Sequence, residues 1–184
     1  MPPRPGASAS NSRPAIFFDR DGTLMEEVHY CKDPALVRVY PGVPQALAKL
    51  KAAGFAIIVI SNQSGIGRGL MTDAEYQAVQ AEFLRQIGPG LVDATYYCPH
   101  APDTACDCRK PATGMVLRAA GEHAIDLAAS YFVGDREADV ECGRRAGTRS
   151  ILVRTGYGAE QTCSADFVCA NAVAAIEYIL NANF

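Results

Sequence analysis

The sequence predicts a doubly wound parallel α/β sheet, and three observations carry that reading. Short runs such as Ala15–Asp19 (AIFFD) and Ala56–Ile60 (AIIVI) are apolar without polar alternation, as expected of strands buried on both faces. Longer stretches with helical spacing separate them, which is the pattern of βαβ units. Polar residues stand directly after several runs, at the strand ends where open α/β sheets bind ligands. At 184 residues and 49% hydrophobic, the chain can bury a core of ordinary domain size.

The elements follow in order. The first strand is expected over Ala15–Asp19. Val43–Ala53 reads as a helix with Gly54 as its stop. Ala56–Ile60 is the second strand. Thr72, with Glu75 three residues on, forms a capping box that opens a helix running to about Ile87. Val92–Cys98 is the third strand, Gly114–Glu122 a helix, and Tyr131–Gly134 the fourth strand. Glu137–Ala146 is helical, Ser150–Val153 is the fifth strand, and a last helix covers roughly Ala172–Leu180. There is no internal repeat, so residues 15–184 are read as one domain. Residues 1–14, rich in Pro, Ser, Gly, Ala and Asn, are read as a disordered extension.

That extension lacks the apolar centre of a signal peptide, and no apolar run approaches the ~20 residues of a membrane helix. A cytoplasmic protein without membrane association is expected. A formal net charge of -3 argues against a nucleic-acid footprint but leaves room for a small anionic ligand held by local donors. With no apolar seam apparent, a monomer is the default. Of the seven cysteines, Cys31, Cys142, Cys163 and Cys169 are scattered and read as small buried hydrophobes.

The residues after the strands carry the chemistry. Asp19-Arg20-Asp21-Gly22-Thr23 follows the first. A lone Asp at a strand end often caps the next element. Two Asp one residue apart, followed by Gly-Thr, can divide the work into nucleophile with metal ligand, and general acid/base. Ser61 directly follows the second apolar run. It can bind phosphate oxygens together with backbone N–H groups of Asn62–Gly65, although a Ser here is more often a turn or cap residue. Lys110 can neutralise phosphoryl charge, against its ordinary reading as a solvated surface residue. Asp135 can complete a Mg²⁺ site, with Asp139 acting behind it.

Cys98-Pro-His100 followed by Cys106-Asp-Cys108 offers three thiolates and an imidazole. This is a closed tetrahedral set for structural Zn²⁺, with no position left for water. Unliganded thiols or a redox pair are the competing readings, and Cys106-x-Cys108 lacks the two-residue gap of thioredoxin-like motifs.

DxDGT, then SNQSG, a lysine, and GDxxxD in this order resemble the haloacid dehalogenase superfamily of phosphatases, over about Ile16 to Val153. The resemblance implies Asp19 as nucleophile and Asp21 as general acid/base. It implies Mg²⁺ held by the side chain of Asp19, the backbone carbonyl of Asp21, and Asp135. Ser61, where a Thr often stands, and Lys110 take the phosphoryl-stabilising roles. CPHxPxxxxCxCRKPxxGM narrows the likeness to the D-glycero-D-manno-heptose-1,7-bisphosphate 7-phosphatases and to histidinol-phosphatase domains, which share the zinc loop. Asn62-Gln63-Ser64-Gly65-Ile66-Gly67-Arg68-Gly69 resembles the heptose group's NQSGIxRG. Ser64 with Arg68 and Arg109 suits a doubly phosphorylated, polyhydroxy sugar; an acidic residue at position 64 would suit a cationic amino alcohol.

By the same resemblance, Glu27, Val28, His29 and Tyr30 form a substrate-contacting loop, and Asn62, Gln63, Arg109 and Arg136 are further candidate contacts. No large cap domain fits the short inserts. The expected activity is hydrolysis of the C7 phosphate of heptose 1,7-bisphosphate through an aspartyl-phosphate. Histidinol-phosphate phosphatase is the nearest rival, and a general sugar-phosphate or nucleotide phosphatase a weaker one. A non-catalytic zinc-stapled module or a phospho-accepting receiver is a rival of another class. The receiver is disfavoured because Asp21, as an acid/base, would promote loss of the phosphoryl signal.

Overall fold

The computed structural model describes residues 12–182. Six parallel strands form one sheet: β1 (Ala15–Phe18), β2 (Ala56–Asn62), β3 (Ala94–Cys98), β4 (Tyr131–Gly134), β5 (Arg149–Val153) and β6 (Phe167–Cys169), in the order β3-β2-β1-β4-β5-β6. The helices are α1 (Val43–Ala52), α2 (Ser64–Gly67), α3 (Asp73–Ile87), α4 (Gly114–His123), α5 (Glu137–Ala146) and α6 (Ala172–Ala182). This strand order reverses direction between β1 and β4, and ligands of doubly wound sheets bind outside the carboxyl ends at that switch point.

All four residues of β1 are fully buried because both faces are covered. Ile16 and Phe18 pack against α1 (Leu47, Leu50), α3 (Val79, Phe83) and α6 (Ile176, Ile179). Ala15 and Phe17 pack against α4 (Met115, Val116, Ala119) and Cys142 of α5. Each fully buried Leu, Ile, Val or Phe contributes roughly 1.5–3 kcal/mol, so these two layers hold the β1 and β4 ends in fixed positions. The Thr72 capping box is present as predicted, with Glu75 N–H donating to Thr72 Oγ1 at 3.2 Å and Thr72 N–H to Glu75 Oε2 at 2.7 Å.

Several boundaries differ from the sequence expectation. β2 runs two residues past its apolar stretch because Ser61 and Asn62 pair with Tyr97 and Cys98 of β3. Ser61 is therefore inside the strand rather than after it. The following segment is not a plain loop but begins the one-turn helix α2. β3 starts at Ala94, since the Asp93 carboxylate accepts from Ile57 N–H at 2.7 Å and pairs with Lys51 at 2.7 Å. A sixth strand, β6, was not expected. It has three residues, lies at the sheet edge and is partly exposed, so no periodicity marks it. Of the expected extension, residues 1–11 lie outside the described residues. Arg13 is already tied to the domain, donating its N–H to Ala124 O and accepting from Asp126 N–H, each at 3.0 Å, and Pro14 O accepts from Ala56 N–H.

Candidate active site

The site grows from the ends of β1, β2 and β4. Asp19 leaves β1 with its N–H on Val133 O, which fixes its carboxylate over the switch point. The Lys110 ammonium, 4% exposed, reaches it from the far side. Lys110 Nζ donates to Asp19 Oδ1 at 2.6 Å and to Ile60 O at 2.7 Å, and lies 2.7 Å from Asp139 Oδ1. These three acceptors match its three N–H groups. Burial opposes its charge, but Asp139 and Asp19 outweigh burial and hold Lys110 above its ordinary value. The Lys110 backbone is gripped in turn by the Asn62 side chain: Lys110 N–H donates to Asn62 Oδ1 at 3.0 Å, and Asn62 Nδ2 to Lys110 O at 3.1 Å.

Asp135 ends β4 and is fully buried. Its Oδ2 accepts from Tyr157 N–H at 2.7 Å, while its Oδ1 is buried with no hydrogen-bond partner among the described residues. Carboxylate oxygens of Asp19, Asp135 and Asp139 lie within 4.8 Å of one another. Burial, then the neighbouring Asp139, pushes Asp135 up to about 7; burial, together with Asp139, Asp135 and Asp21, raises Asp19 well above the carboxylate range despite Lys110. Once ionised, three carboxylates against one ammonium would carry two net negative charges, and the orphaned Asp135 Oδ1 lies among them, a donor set suited to a hard divalent cation with oxygen ligands.

Backbone closes over the same point. A Cβ on Gly22 (φ +80) would lie 2.3 Å from Asp135 Oδ2, and one on Gly156 (φ +54) 2.2 Å from it and 2.6 Å from the Gly22 Cα. Only glycine meets both the backbone angle and the approach. The side chain of Asp21 is not part of the carboxylate trio. Its carboxylate accepts from Arg20 and Gln63 and faces the Ser61 hydroxyl.

Ser61 is 1% exposed and does not line the cleft. Its hydroxyl accepts from Gln63 Nε2 at 2.7 Å and faces Asp21 Oδ2 at 3.4 Å. Gln63 Nε2 also donates to Asp21 Oδ2 at 2.9 Å. The residues singled out as substrate contacts do come together, around a cleft of about 330 Å³ that also exposes Asp19, Asp21 and Lys110. Glu27, Val28, His29 and Tyr30 line it from the loop after β1. Asn62, Gln63, Ser64 and Arg68 come from the end of β2 and α2, Arg109 precedes Lys110, and Arg136 opens α5. Burial and then Asp21 raise Glu27, with Arg136 4.0 Å away as a partial counter-charge. Besides the Glu27–Arg136 pair, three of these side chains are already engaged within the protein: Asn62 with the Lys110 backbone, Gln63 with Asp21 and Ser61, and Arg109, whose Nη1 donates to His100 O at 3.4 Å.

The second ligand cluster sits beside this cleft. Cys98, at the end of β3, is joined by His100, Cys106 and Cys108, with all four donor atoms within 4.8 Å. With zinc's bond lengths, a tetrahedral set has edges of about 3.8 Å between sulfurs and about 3.5 Å between sulfur and nitrogen. Cys98 Sγ lies 3.8 Å from Cys106 Sγ and 3.5 Å from His100 Nδ1; Cys108 Sγ is drawn closer, 3.1 Å from Cys98 Sγ and 3.2 Å from His100 Nδ1. Burial and the two neighbouring cysteines push the Cys108 thiol up to about 12, as expected where several thiols crowd together without a cation. The donor set fits a four-coordinate metal. The loop also supports the cleft: Gly67 N–H and Gln63 N–H donate to Pro99 O and Cys98 O, both at 2.8 Å.

The chain is 40% identical over 173 residues to the D-glycero-beta-D-manno-heptose-1,7-bisphosphate 7-phosphatase of Yersinia pestis, covering 86% of this chain and 91% of that one. It is 41% identical over 158 residues to the Escherichia coli K12 protein of the same name, covering 80% and 82%. The chain belongs to the heptose-1,7-bisphosphate 7-phosphatase family. Residues 107–176 match the HAD-hydrolase-like family. The crystal structure of D,D-heptose 1,7-bisphosphate phosphatase from B. bronchiseptica complexed with magnesium and phosphate superposes with a TM-score of 0.85. Identity is 34%, and the match covers 92% of this chain and 99% of that one.

Within the family frame, three side chains stand out that sequence reasoning passed over or placed behind the site. Asp139 is in direct contact with Lys110 as well as in the carboxylate trio. Its spacing in GDxxxD was the available signal. Arg20 is fully buried and paired with Asp21, and its position between two Asp was the only hint. Tyr157 lines the cleft, with the Arg136 guanidinium 3.7 Å over its ring; nothing in the sequence marked it.

Proposed function

We propose that this protein is a Mg²⁺-dependent phosphoric monoester hydrolase that removes the C7 phosphate of D-glycero-D-manno-heptose 1,7-bisphosphate. The carrying observation is Asp19: a buried carboxylate facing a sugar-sized cleft, with Lys110 Nζ 2.6 Å from Oδ1 and two more carboxylates behind it. The family relationship supplies the substrate class.

In this reading, Asp19 attacks phosphorus, the P–O bond to the sugar breaks, and Asp21 gives its proton to the leaving oxygen. Asp21 then takes a proton from water, which displaces Asp19 from the aspartyl-phosphate. Lys110 offsets charge on the phosphoryl oxygens and is kept in line by Asn62 and Asp139. Ser61 acts from behind, through Asp21 and Gln63. Asp19, the Asp21 carbonyl and Asp135 would hold Mg²⁺, which would supply neutralising charge for the transferring group. Cys98, His100, Cys106 and Cys108 would hold a structural Zn²⁺ that would steady the segment leading to Arg109 and Lys110. Glu27–Tyr30, Ser64, Arg68, Arg109 and Arg136 select the sugar. The active unit is a single domain working as a monomer in the cytoplasm; among the described residues no helix is long and apolar enough to cross a membrane.

The test is phosphate release from heptose 1,7-bisphosphate and from histidinol phosphate, side by side with Mg²⁺. A preference of about 10²-fold or more in kcat/KM for the bisphosphate is expected, on the scale of a lost charged contact. Preference for histidinol phosphate would keep the chemistry and overturn the substrate.

A further inference from the structure

Among the described residues the largest fully buried side chain is a cation, Arg20, at 0% exposure. Removing a guanidinium from water costs several kcal/mol unless it is paired and hydrogen-bonded. Here it is both. Nε donates to Asp21 Oδ2 at 3.1 Å, and Nη2 lies 3.2 Å from Asp21 Oδ1 and 3.1 Å from Oδ2, a fork on the neighbouring carboxylate with its second arm shared between the two oxygens. Nη1 donates to Gln80 Oε1 at 2.9 Å, and the guanidinium lies 5.2 Å from the centroid of the Tyr76 ring. Gln80 and Tyr76 both belong to α3, so a core helix fixes the fork from behind. The turn itself is tied down by the Leu24 and Met25 N–H groups on Arg20 O, at 3.0 and 3.1 Å.

The contacts on Asp21 are unequal. Oδ2 accepts from Arg20, from Gln63 at 2.9 Å and from Ser61 at 3.4 Å. Oδ1 accepts from Arg20 alone. One oxygen is crowded with donors, and the other keeps a free lone pair at the cleft that Asp21 lines. We propose that Arg20 is a positioning residue: anchored on α3, its fork locks the Asp21 carboxylate so that Oδ1 is the oxygen that exchanges the proton with the substrate. This rests on the reading of Asp21 as acid/base given above. In the forward step the proton passes from Asp21 Oδ1 to the bridging oxygen as the P–O bond breaks and its electron pair stays on the sugar. The fork then holds the resulting carboxylate ready to accept a proton from water.

The proposal makes a claim that a merely structural arginine would not. Poor leaving groups need the proton; dinitrophenolate does not. Arg20→Met and Arg20→Lys are compared with wild type in full-length protein with Mg²⁺. The readouts are a sugar phosphate at steady state and the pre-steady-state burst from 2,4-dinitrophenyl phosphate, which reports attack by Asp19. The expected result is a loss of about 10²-fold in kcat for the sugar phosphate, with KM within about threefold and a burst rate close to wild type. Arg20→Lys keeps the charge but not the fork and should be impaired in the same pattern. Equal losses on both substrates, or no loss on the sugar phosphate, would overturn the proposal. If Arg20→Met does not fold, Arg20→Lys alone decides by the same two readouts. Asp21→Asn run in parallel separates the two levels: if it too leaves sugar-phosphate turnover intact, the acid/base reading fails, whatever Arg20 does.

Discussion

Two clusters of metal-ligand residues lie side by side in this protein, and they are built in opposite ways. The Asp19, Asp135 and Asp139 trio is assembled from the ends of β1 and β4 and the first turn of α5, elements whose cores are fully buried. It contains its own cation, Lys110, and opens onto a cleft. The Cys98, His100, Cys106 and Cys108 cluster is carried by the last residue of β3 and the short loop that follows it, with Cys106 and Cys108 only partly buried against the core. Its four donors complete a coordination shell. The first cluster has its shape from the sheet and leaves room for chemistry; the second lends shape to a loop and leaves none. A metal lost from the first should therefore cost turnover, and a metal lost from the second should cost structure.

The largest effect sharpens that contrast. Asp19→Asn should lower turnover by about 10⁴-fold or more, as removal of a nucleophile does. The metal-free melting temperature should be unchanged or higher, because one of three crowded carboxylates is gone. Stopped-time phosphate assays and calorimetry check both, and a folded variant with near wild-type turnover would remove Asp19 from the nucleophile role.

Next, Cys106→Ser should release the bound metal, detected by elemental analysis, and lower the melting temperature by about 5–10 °C, the scale of a lost structural site in a domain of this size. kcat/KM should fall about tenfold as the approach to Arg109 and Lys110 loosens. A variant equally stable but inactive would break the division drawn above.

A third prediction concerns protons at the carboxylate trio. Asp135 sits near 7 in the metal-free protein, above its unfolded value. The stability this contributes is present at low pH and is lost as pH rises through about 7. A cation must displace that proton, so apparent Mg²⁺ affinity should rise with pH, by about 30-fold between pH 5.5 and 8 if one proton is displaced. The Mg²⁺-induced rise in melting temperature should be larger at pH 8 than at pH 5.5. An equal rise at both would show that Asp135 is ionised before the metal arrives. The smallest effect is expected at the cleft rim: if Arg68 contacts only bound substrate, as proposed, Arg68→Ala should raise KM about tenfold with kcat nearly unchanged.

Much of this site was readable because its chemistry sits at chain positions with their own signature. Wholly apolar runs located β1, β2 and β4, polar residues just beyond β1 and β4 marked Asp19 and Asp135, and Lys110 was marked by its place after the cysteine cluster. Cysteine spacing located the second cluster without any structural input. Register escaped the reading. β2 continues through Ser61 because β3 pairs with it there, a long-range contact that leaves no local trace, and this moved Ser61 from the cleft wall to a buried support. Arg20 was missed for a similar reason. An arginine between two Asp looks solvated until α3 is placed over it with Gln80 and Tyr76. β6 and Tyr157 depend on how the chain returns after β5, which three half-exposed residues do not announce.

The two glycines closing over Asp135 have a consequence for engineering. Because any side chain at Gly22 or Gly156 would overlap the Asp135 carboxylate, those loops have no room to contribute a new metal ligand. A mutant library aimed at retuning the metal there should return glycine at both positions among its active members. The residue left to vary around the metal pocket is Asp139, whose carboxylate also holds Lys110, so metal preference and phosphate recognition would have to be redesigned together.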